Sequence, residues 1–288
     1  MDKMSQTNPG SNSSLNAQKH YNSKSSDTFY DKVWGGEDIH VGLYENPDED
    51  IFTASRRTIK KMVQKLKAHN KSVGTSGLGK VLDLGSGFGG AARYLASNYE
   101  CHVTCIDISE KENLKNKKRN KSLGLETSID VYHGSFEDLP FEDNSFDVLW
   151  SEEAILHSDN KTKVFEEAYR VLKEGGQFIF TDPMKMDDCP DELIKPVLER
   201  LDLKSLYSVN QYKELAKKVG LKVVEIDEMP NQLVNHYRRV QEELRKQYDD
   251  LKQVCSIEYL EKMDKGLTHW VEAGKNQYLD WGILHFKK

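Results

Sequence analysis

Lys80-Val81-Leu82-Asp83-Leu84-Gly85-Ser86-Gly87-Phe88-Gly89-Gly90-Ala91 is the stretch on which the reading of this chain turns. Val81, Leu82 and Leu84 form the short apolar run expected of a strand covered on both faces. Gly85 and Gly87 then break the strand and let backbone N–H groups approach a ligand where a Cβ would collide. A helix is expected to start near Gly89. Asp83 puts a carboxylate at the carboxyl end of the strand, the edge at which open α/β sheets bind ligands.

The same alternation continues outward. His102–Ile106 reads as a second strand ending at Asp107, and Ser109 with Glu112 three residues on marks the start of a second helix. Further strands are expected at about 127–132, at Phe146–Trp150, at Gln177–Asp182 and at 221–226. Helices are expected at 160–172, stopped by Lys173-Glu174-Gly175-Gly176, and at 209–219. The apolar run Tyr278–Phe286 supplies a last strand, expected to close the sheet antiparallel to its neighbour. The fold class is therefore α/β: a doubly wound, mostly parallel, seven-stranded sheet with helical caps.

The domain organisation follows composition. Residues 1–26 are rich in Ser, Asn and Lys and are expected to be disordered. Residues 27–288 read as one domain, with an N-terminal cap at 27–72, a ligand-binding half at 79–182, and cap insertions at 183–208 and 228–274. In the last of these, Tyr237, Val240, Leu244, Tyr248, Leu251 and Cys255 recur about every 3.5 residues, as a packing face or as a dimer seam. The chain is expected to be a monomer or a homodimer.

A formal net charge of −6 argues against general binding to a nucleic-acid backbone. The lysine-rich run 111–121 then reads as a solvated helix face. No apolar run approaches the roughly 20 residues needed to span a bilayer, and the polar N-terminus lacks the apolar core of a signal peptide. Cysteines at 101, 105, 189 and 255 show no metal-ligand spacing, and no metal is expected. These features point to a reducing cytoplasm and to a small-molecule partner.

The glycine spacing Gly85-x-Gly87-x-x-Gly90 fits a dinucleotide, S-adenosylmethionine, or a turn that binds nothing. Asp107, about 20 residues beyond the glycines, can accept ribose hydroxyls from either cofactor. Asp83 discriminates: it would repel a pyrophosphate, whereas it attracts the ammonium of S-adenosylmethionine. Aromatic faces also suit a sulfonium.

Val81-Leu82-Asp83-Leu84-Gly85-Ser86-Gly87-Phe88-Gly89 resembles motif I of class I S-adenosylmethionine-dependent methyltransferases. Gly134–Asp147 and Arg170–Gly176 resemble that family's fourth-strand region and its approach to the fifth strand. The resemblance implies a cofactor site made of Asp83, Gly85, Ser86, Gly87, Asp107 and Ile108, with Ser151 completing it. Phe136 and Glu137 would meet the adenine, because Ser135 departs from the acidic residue usual there. Glu153 would bind the methionine ammonium or orient His157, and Tyr21 would close over the cofactor as a lid.

Trp34–Tyr44, Ala54–Thr58, Pro230-Asn231-Gln232 and His236–Val240 resemble the sarcosine/dimethylglycine N-methyltransferases of glycine betaine synthesis, over most of 20–288. That implies a small amine bearing a carboxylate. Arg239 is the leading candidate to pair it, ahead of Arg238, Arg56 and Arg57. Trp34 and Tyr44 would enclose the amine, with Tyr30, or else pack the cap. His157, matching a histidine of the related phosphoethanolamine methyltransferases, would take the amine's proton together with Tyr30. A phosphoethanolamine substrate and a non-catalytic cofactor-binding module are the competing readings.

Overall fold

A computed structural model describes residues 29–30, 32–34, 36–69 and 77–288. The expectations for Tyr21 and for residues 1–26 lie outside the described residues.

The sheet has seven strands: β1 (Gly79–Leu84), β2 (Cys101–Asp107), β3 (Ile129–His133), β4 (Phe146–Glu152), β5 (Leu172–Lys185), β6 (Lys222–Glu228) and β7 (Leu279–Lys287). Their spatial order is β3-β2-β1-β4-β5-β7-β6. The first five strands run parallel to one another, and β7 runs antiparallel to both β5 and β6. The order reverses between β1 and β4, where Asp83 pairs in register with Trp150. At such a switch point the flanking connections leave on opposite faces and open a crevice at the carboxyl ends of the strands.

Alternation along the strands builds the two faces. On one, Val81, Val103, Val148, Trp150, Ile179 and Trp281 pack with α1 (Ile51–His69), α2 (Gly90–Asn98), α7 (Pro230–Lys246) and α9 (Ile257–Lys275). On the other, Leu82, Leu149, Phe178, Phe180 and Phe286 pack with α4 (Lys161–Val171) and α6 (Val209–Val219). Further α-helices among the described residues are α3 (Glu110–Ser122), α5 (Lys195–Leu201) and the short α8 (Tyr248–Leu251). Among the described residues, no helix is long and apolar enough to cross a membrane.

Two sequence expectations change, and of the two readings of the 3.5-residue repeat the packing face is the one observed. β5 begins at Leu172, the extended C-cap of α4, and not at Gln177. A register shift between Phe146 and Val148 absorbs the extra residues, and Gly175 N–H and Gly176 O bond Lys288. β7 does not end the sheet but lies inside it, because Leu279–Phe286 is buried throughout, whereas half-exposed β6 tolerates the edge. The 3.5-residue repeat is not a dimer seam. Tyr237 stacks on Trp270 of α9 with centroids 4.5 Å apart, and Val240, Leu244 and Leu251 are buried within the chain.

The segment 36–44 straps the cap across the carboxyl ends of the strands. Val41 N–H donates to Glu153 Oε2 at 3.1 Å, Gly42 N–H to His236 Nδ1 at 3.2 Å, and Tyr44 N–H to Gln232 Oε1 at 2.9 Å. The strap thereby roofs the crevice at the switch point.

Candidate active site

The floor of the crevice is the turn after β1. Gly85 has φ +73°, and an added Cβ would lie 2.3 Å from Ala154 Cβ, so no other residue fits without displacing the loop after β4. Asp107, at the end of β2, is fixed by backbone donors, among them Gly87 N–H to Oδ2 at 2.9 Å and Ser109 N–H to Oδ1 at 2.8 Å. Ser109 also caps α3, accepting Glu112 N–H. The carboxylate is thus held rigid while it lines a cleft of about 740 Å³ with Ile108, Ser135, Phe136 and His157.

On the side of Asp83 this cleft runs into an acidic recess lined by Asp38, His40, Asp83, Ser86 and Glu152. Burial, with the Asp107 charge adding to it, pushes the Asp83 carboxyl up to about 7. Burial raises Asp38 to about 6 although Arg56 Nη2 lies 2.8 Å away. Burial also lifts Glu152 well above the usual carboxylate range, and the neighbouring Glu153 reinforces this. His40, forced down to about 3 by burial, sits neutral 3.4 Å from Glu152. The buried Ser86 hydroxyl has no hydrogen-bond partner among the described residues. Desolvated acids at this density favour a cation over any anion.

A further cleft of about 410 Å³ is walled by Tyr30, Trp34, Tyr237, Leu156 and Pro183, with Arg200 in its lining. It shares Ile39, Glu153 and His157 with the first cleft, so the two meet at these residues. His157 closes a single helical turn, Ile155–His157, its N–H bonded to Ala154 O at 3.1 Å. That turn sets the imidazole at the junction.

Of the residues singled out from the sequence, Asp83, Gly85, Ser86, Gly87, Asp107, Ile108, Phe136, Glu153 and His157 come together around the first cleft and its recess. Tyr30 and Trp34 join His157 in the further cleft. Others are engaged elsewhere. Ser151 donates to Leu84 O at 2.8 Å, locking β4 to β1, and is fully buried. Glu137 accepts from Ser158 Oγ at 2.6 Å, which leaves Ser135 and Phe136 on the cleft wall. Tyr44 hydroxyl bonds His236 Nδ1 at 2.9 Å.

Arg239 is paired with Glu242 at 2.6 Å and donates to Glu49 O at 3.3 Å, outside the cleft lining. Arg238 also pairs with Glu242, Arg56 with Asp38, and Arg57 with Glu49. Glu153 does line both clefts, but its oxygens accept from Trp281 Nε1 at 2.6 Å and from Val41 N–H. These bonds tie cap to core. Glu152, Asp38, His40, Tyr237 and Arg200 were missed. For Glu152 a signal existed: extending β4 by two residues past Trp150 puts its side chain on the same face as Trp150.

Residues 82–180 match a family model described as a methyltransferase domain. A sarcosine/dimethylglycine N-methyltransferase of Aphanothece halophytica is 52% identical over 272 residues, spanning 94% of this chain and 96% of its own. The chain belongs to the sarcosine/dimethylglycine N-methyltransferase family. A member from Halorhodospira halochloris is 43% identical, with 94% and 95% of the two chains covered. A solved candidate sarcosine dimethylglycine methyltransferase from Galdieria sulphuraria superposes with a TM-score of 0.85 at 42% identity, covering 91% of this chain and 97% of the other.

The protein is a methyltransferase that uses S-adenosylmethionine. Its residues fit that cofactor: the recess is acidic where a pyrophosphate would be repelled, and the fixed Asp107 lines the cleft as an acceptor of the kind a ribose needs.

Proposed function

We propose that the chain methylates sarcosine to dimethylglycine and dimethylglycine to glycine betaine. The observation that carries this reading is the small aromatic cleft of Tyr30, Trp34 and Tyr237, which opens onto the cofactor cleft at His157. S-adenosylmethionine, when bound, supplies a methyl group made electrophilic by its sulfonium.

The chain's own residues then have three tasks. Asp107 and Phe136 hold the adenosine, the first through lone pairs left after Gly87 and Ser109, the second as an apolar wall. Asp83, with Glu152, receives the ammonium end in the recess. His157 takes a proton from the incoming amine at the junction, because an ammonium has no lone pair with which to attack. Both substrates need that deprotonation, whereas the quaternary product carries no such proton.

The aromatic walls serve the second step most. They replace hydration around a nitrogen that becomes permanently cationic, and each cation–π contact of this kind is worth about 0.5–2 kcal/mol. Exclusion of water and alignment within the narrow cleft supply most of the remaining rate. Phosphoethanolamine is the rival substrate. Its phosphate calls for several converging cations, and among the described residues of this cleft only Arg200 is a permanent one.

The deciding experiment offers methyl-labelled S-adenosylmethionine to the purified protein with sarcosine, dimethylglycine or phosphoethanolamine in parallel. Label should enter the first two amines with kcat/KM at least about 100-fold above phosphoethanolamine. Preferential labelling of phosphoethanolamine would reverse the reading.

A further inference from the structure

Every other arginine among the described residues has a carboxylate within ion-pair distance: Arg56, Arg57, Arg93, Arg119, Arg170, Arg238, Arg239 and Arg245. Arg200 is the exception. It is only 8% exposed, and its Nε and Nη2 are buried without a hydrogen-bond partner among the described residues. A desolvated charge left uncompensated costs several kcal/mol. The group lines the amine cleft, with Cζ 5.9 Å from the ring centroids of both Trp34 and Tyr237.

The fold also makes room for this side chain. Gly266 lies in the interior of α9, where glycine costs about 1 kcal/mol relative to alanine. A Cβ there would stand 2.5 Å from Arg200 Cδ and 3.0 Å from its Nε. Gly266 therefore provides the groove in which the arginine stem lies. The one carboxylate among the described residues of the cleft lining, Glu153, already accepts from Trp281 and Val41, so it does not neutralise the guanidinium.

We infer that Arg200, seated against Gly266, is the anchor for the carboxylate of the amine substrate. The planar guanidinium offers paired N–H donors matched to two carboxylate oxygens, and the rings of Trp34 and Tyr237 restrict its orientation. The anchor takes over the role assigned to Arg239 on sequence grounds, and it sets the substrate class as monocarboxylate amines. The inference rests on the sarcosine/dimethylglycine reading and deepens it.

The test measures steady-state transfer to sarcosine and to its uncharged amide by the full chain, by R200Q and R200K, and by G266A. Binding of S-adenosylhomocysteine is followed in each. R200Q should raise KM for sarcosine about 100-fold while leaving KM for the amide and S-adenosylhomocysteine affinity within about twofold. R200K should recover part of that loss, and G266A should raise KM about 10-fold by displacing the stem. R239Q, whose guanidinium is engaged by Glu242 and Glu49, should leave KM within about twofold.

An R200Q variant that binds S-adenosylhomocysteine normally and keeps its KM for sarcosine overturns the assignment, with the broader function intact. If R200Q fails to bind S-adenosylhomocysteine, G266A decides: a raised KM supports the anchor and an unchanged one refutes it. Wild-type protein that ignores sarcosine and dimethylglycine altogether refutes the broader function instead.

Discussion

His157→Ala is expected to lower kcat for sarcosine about 100-fold or more while leaving S-adenosylhomocysteine binding within about twofold. The imidazole lies where the two clefts meet, on a turn fixed by its own backbone bond to Ala154, so alanine removes the group without moving the loop. Loss of a positioned general base costs about 10²–10⁴ in rate. The deficit should shrink as pH rises, because solvent then supplies more of the neutral amine. A parallel pH–rate profile of the two proteins checks this. A histidine that merely packs would give a deficit independent of pH, and with it a lowered melting temperature.

Asp83→Asn should separate stability from function with opposite signs. Asp83 is 3% exposed, and burial beside Asp107 raises its carboxyl from 3.8 in a solvated chain to about 7. The folded protein therefore keeps a proton that the unfolded chain releases between about pH 4 and 7. The stabilising contribution is complete below pH 4, falls as pH rises, and is lost above about 7. Above that pH the native state carries a desolvated charge, which asparagine removes. The ligand-free variant should consequently melt several degrees higher than wild type at pH 8, for a gain of about 1–3 kcal/mol.

The same substitution should weaken S-adenosylmethionine about 100-fold, because the recess loses the charge that a cationic ligand requires. Wild-type affinity should strengthen between pH 6 and 7 as Asp83 ionises, and the variant should lack that dependence. Melting curves with and without ligand across this range measure both effects. A ligand-free variant less stable than wild type at pH 8 would show that the buried carboxylate holds the loop together and does not store repulsion.

Much of the architecture is legible in local patterning. The near-continuous apolar runs of Val81–Leu84 and Phe146–Trp150 state that both faces are covered, and Ser208 with Gln211 marks the start of the helix Val209–Val219 through a reciprocal capping box. Boundaries that depend on a distant partner are not legible. Leu172–Gly176 joins β5 because Phe146 and Lys288 meet it, and β7 slips inside the sheet because only an interior position covers both of its faces.

The site divides along the same line. Asp83, Gly85 and Asp107 are set by the strand ends on which they sit, so sequence order alone brings them to the crevice. Arg239 carries a local signal of another engagement: Glu242, three residues on along the same helix, pairs with it. Glu153 and Ser151 could not be sorted from sequence, because Trp281, Val41 and Leu84 approach them from other parts of the fold. Arg200 has no neighbour in sequence that betrays it. Its mark is an absence of counter-charge among the described residues, visible only once every other arginine there has found a carboxylate.

The central claim is that one cleft holds the methyl donor, the other the amine, and that they meet at His157. A crystal structure with S-adenosylhomocysteine and dimethylglycine tests it directly. The homocysteine ammonium should lie beside Asp83 and the ribose on Asp107. The dimethylglycine nitrogen should lie at the His157 junction, about 4–5 Å from the sulfur once a methyl's place is allowed for, with its carboxylate on Arg200. Dimethylglycine bound away from the cleft of Tyr30, Trp34 and Tyr237, or with its carboxylate on Arg239, would contradict it.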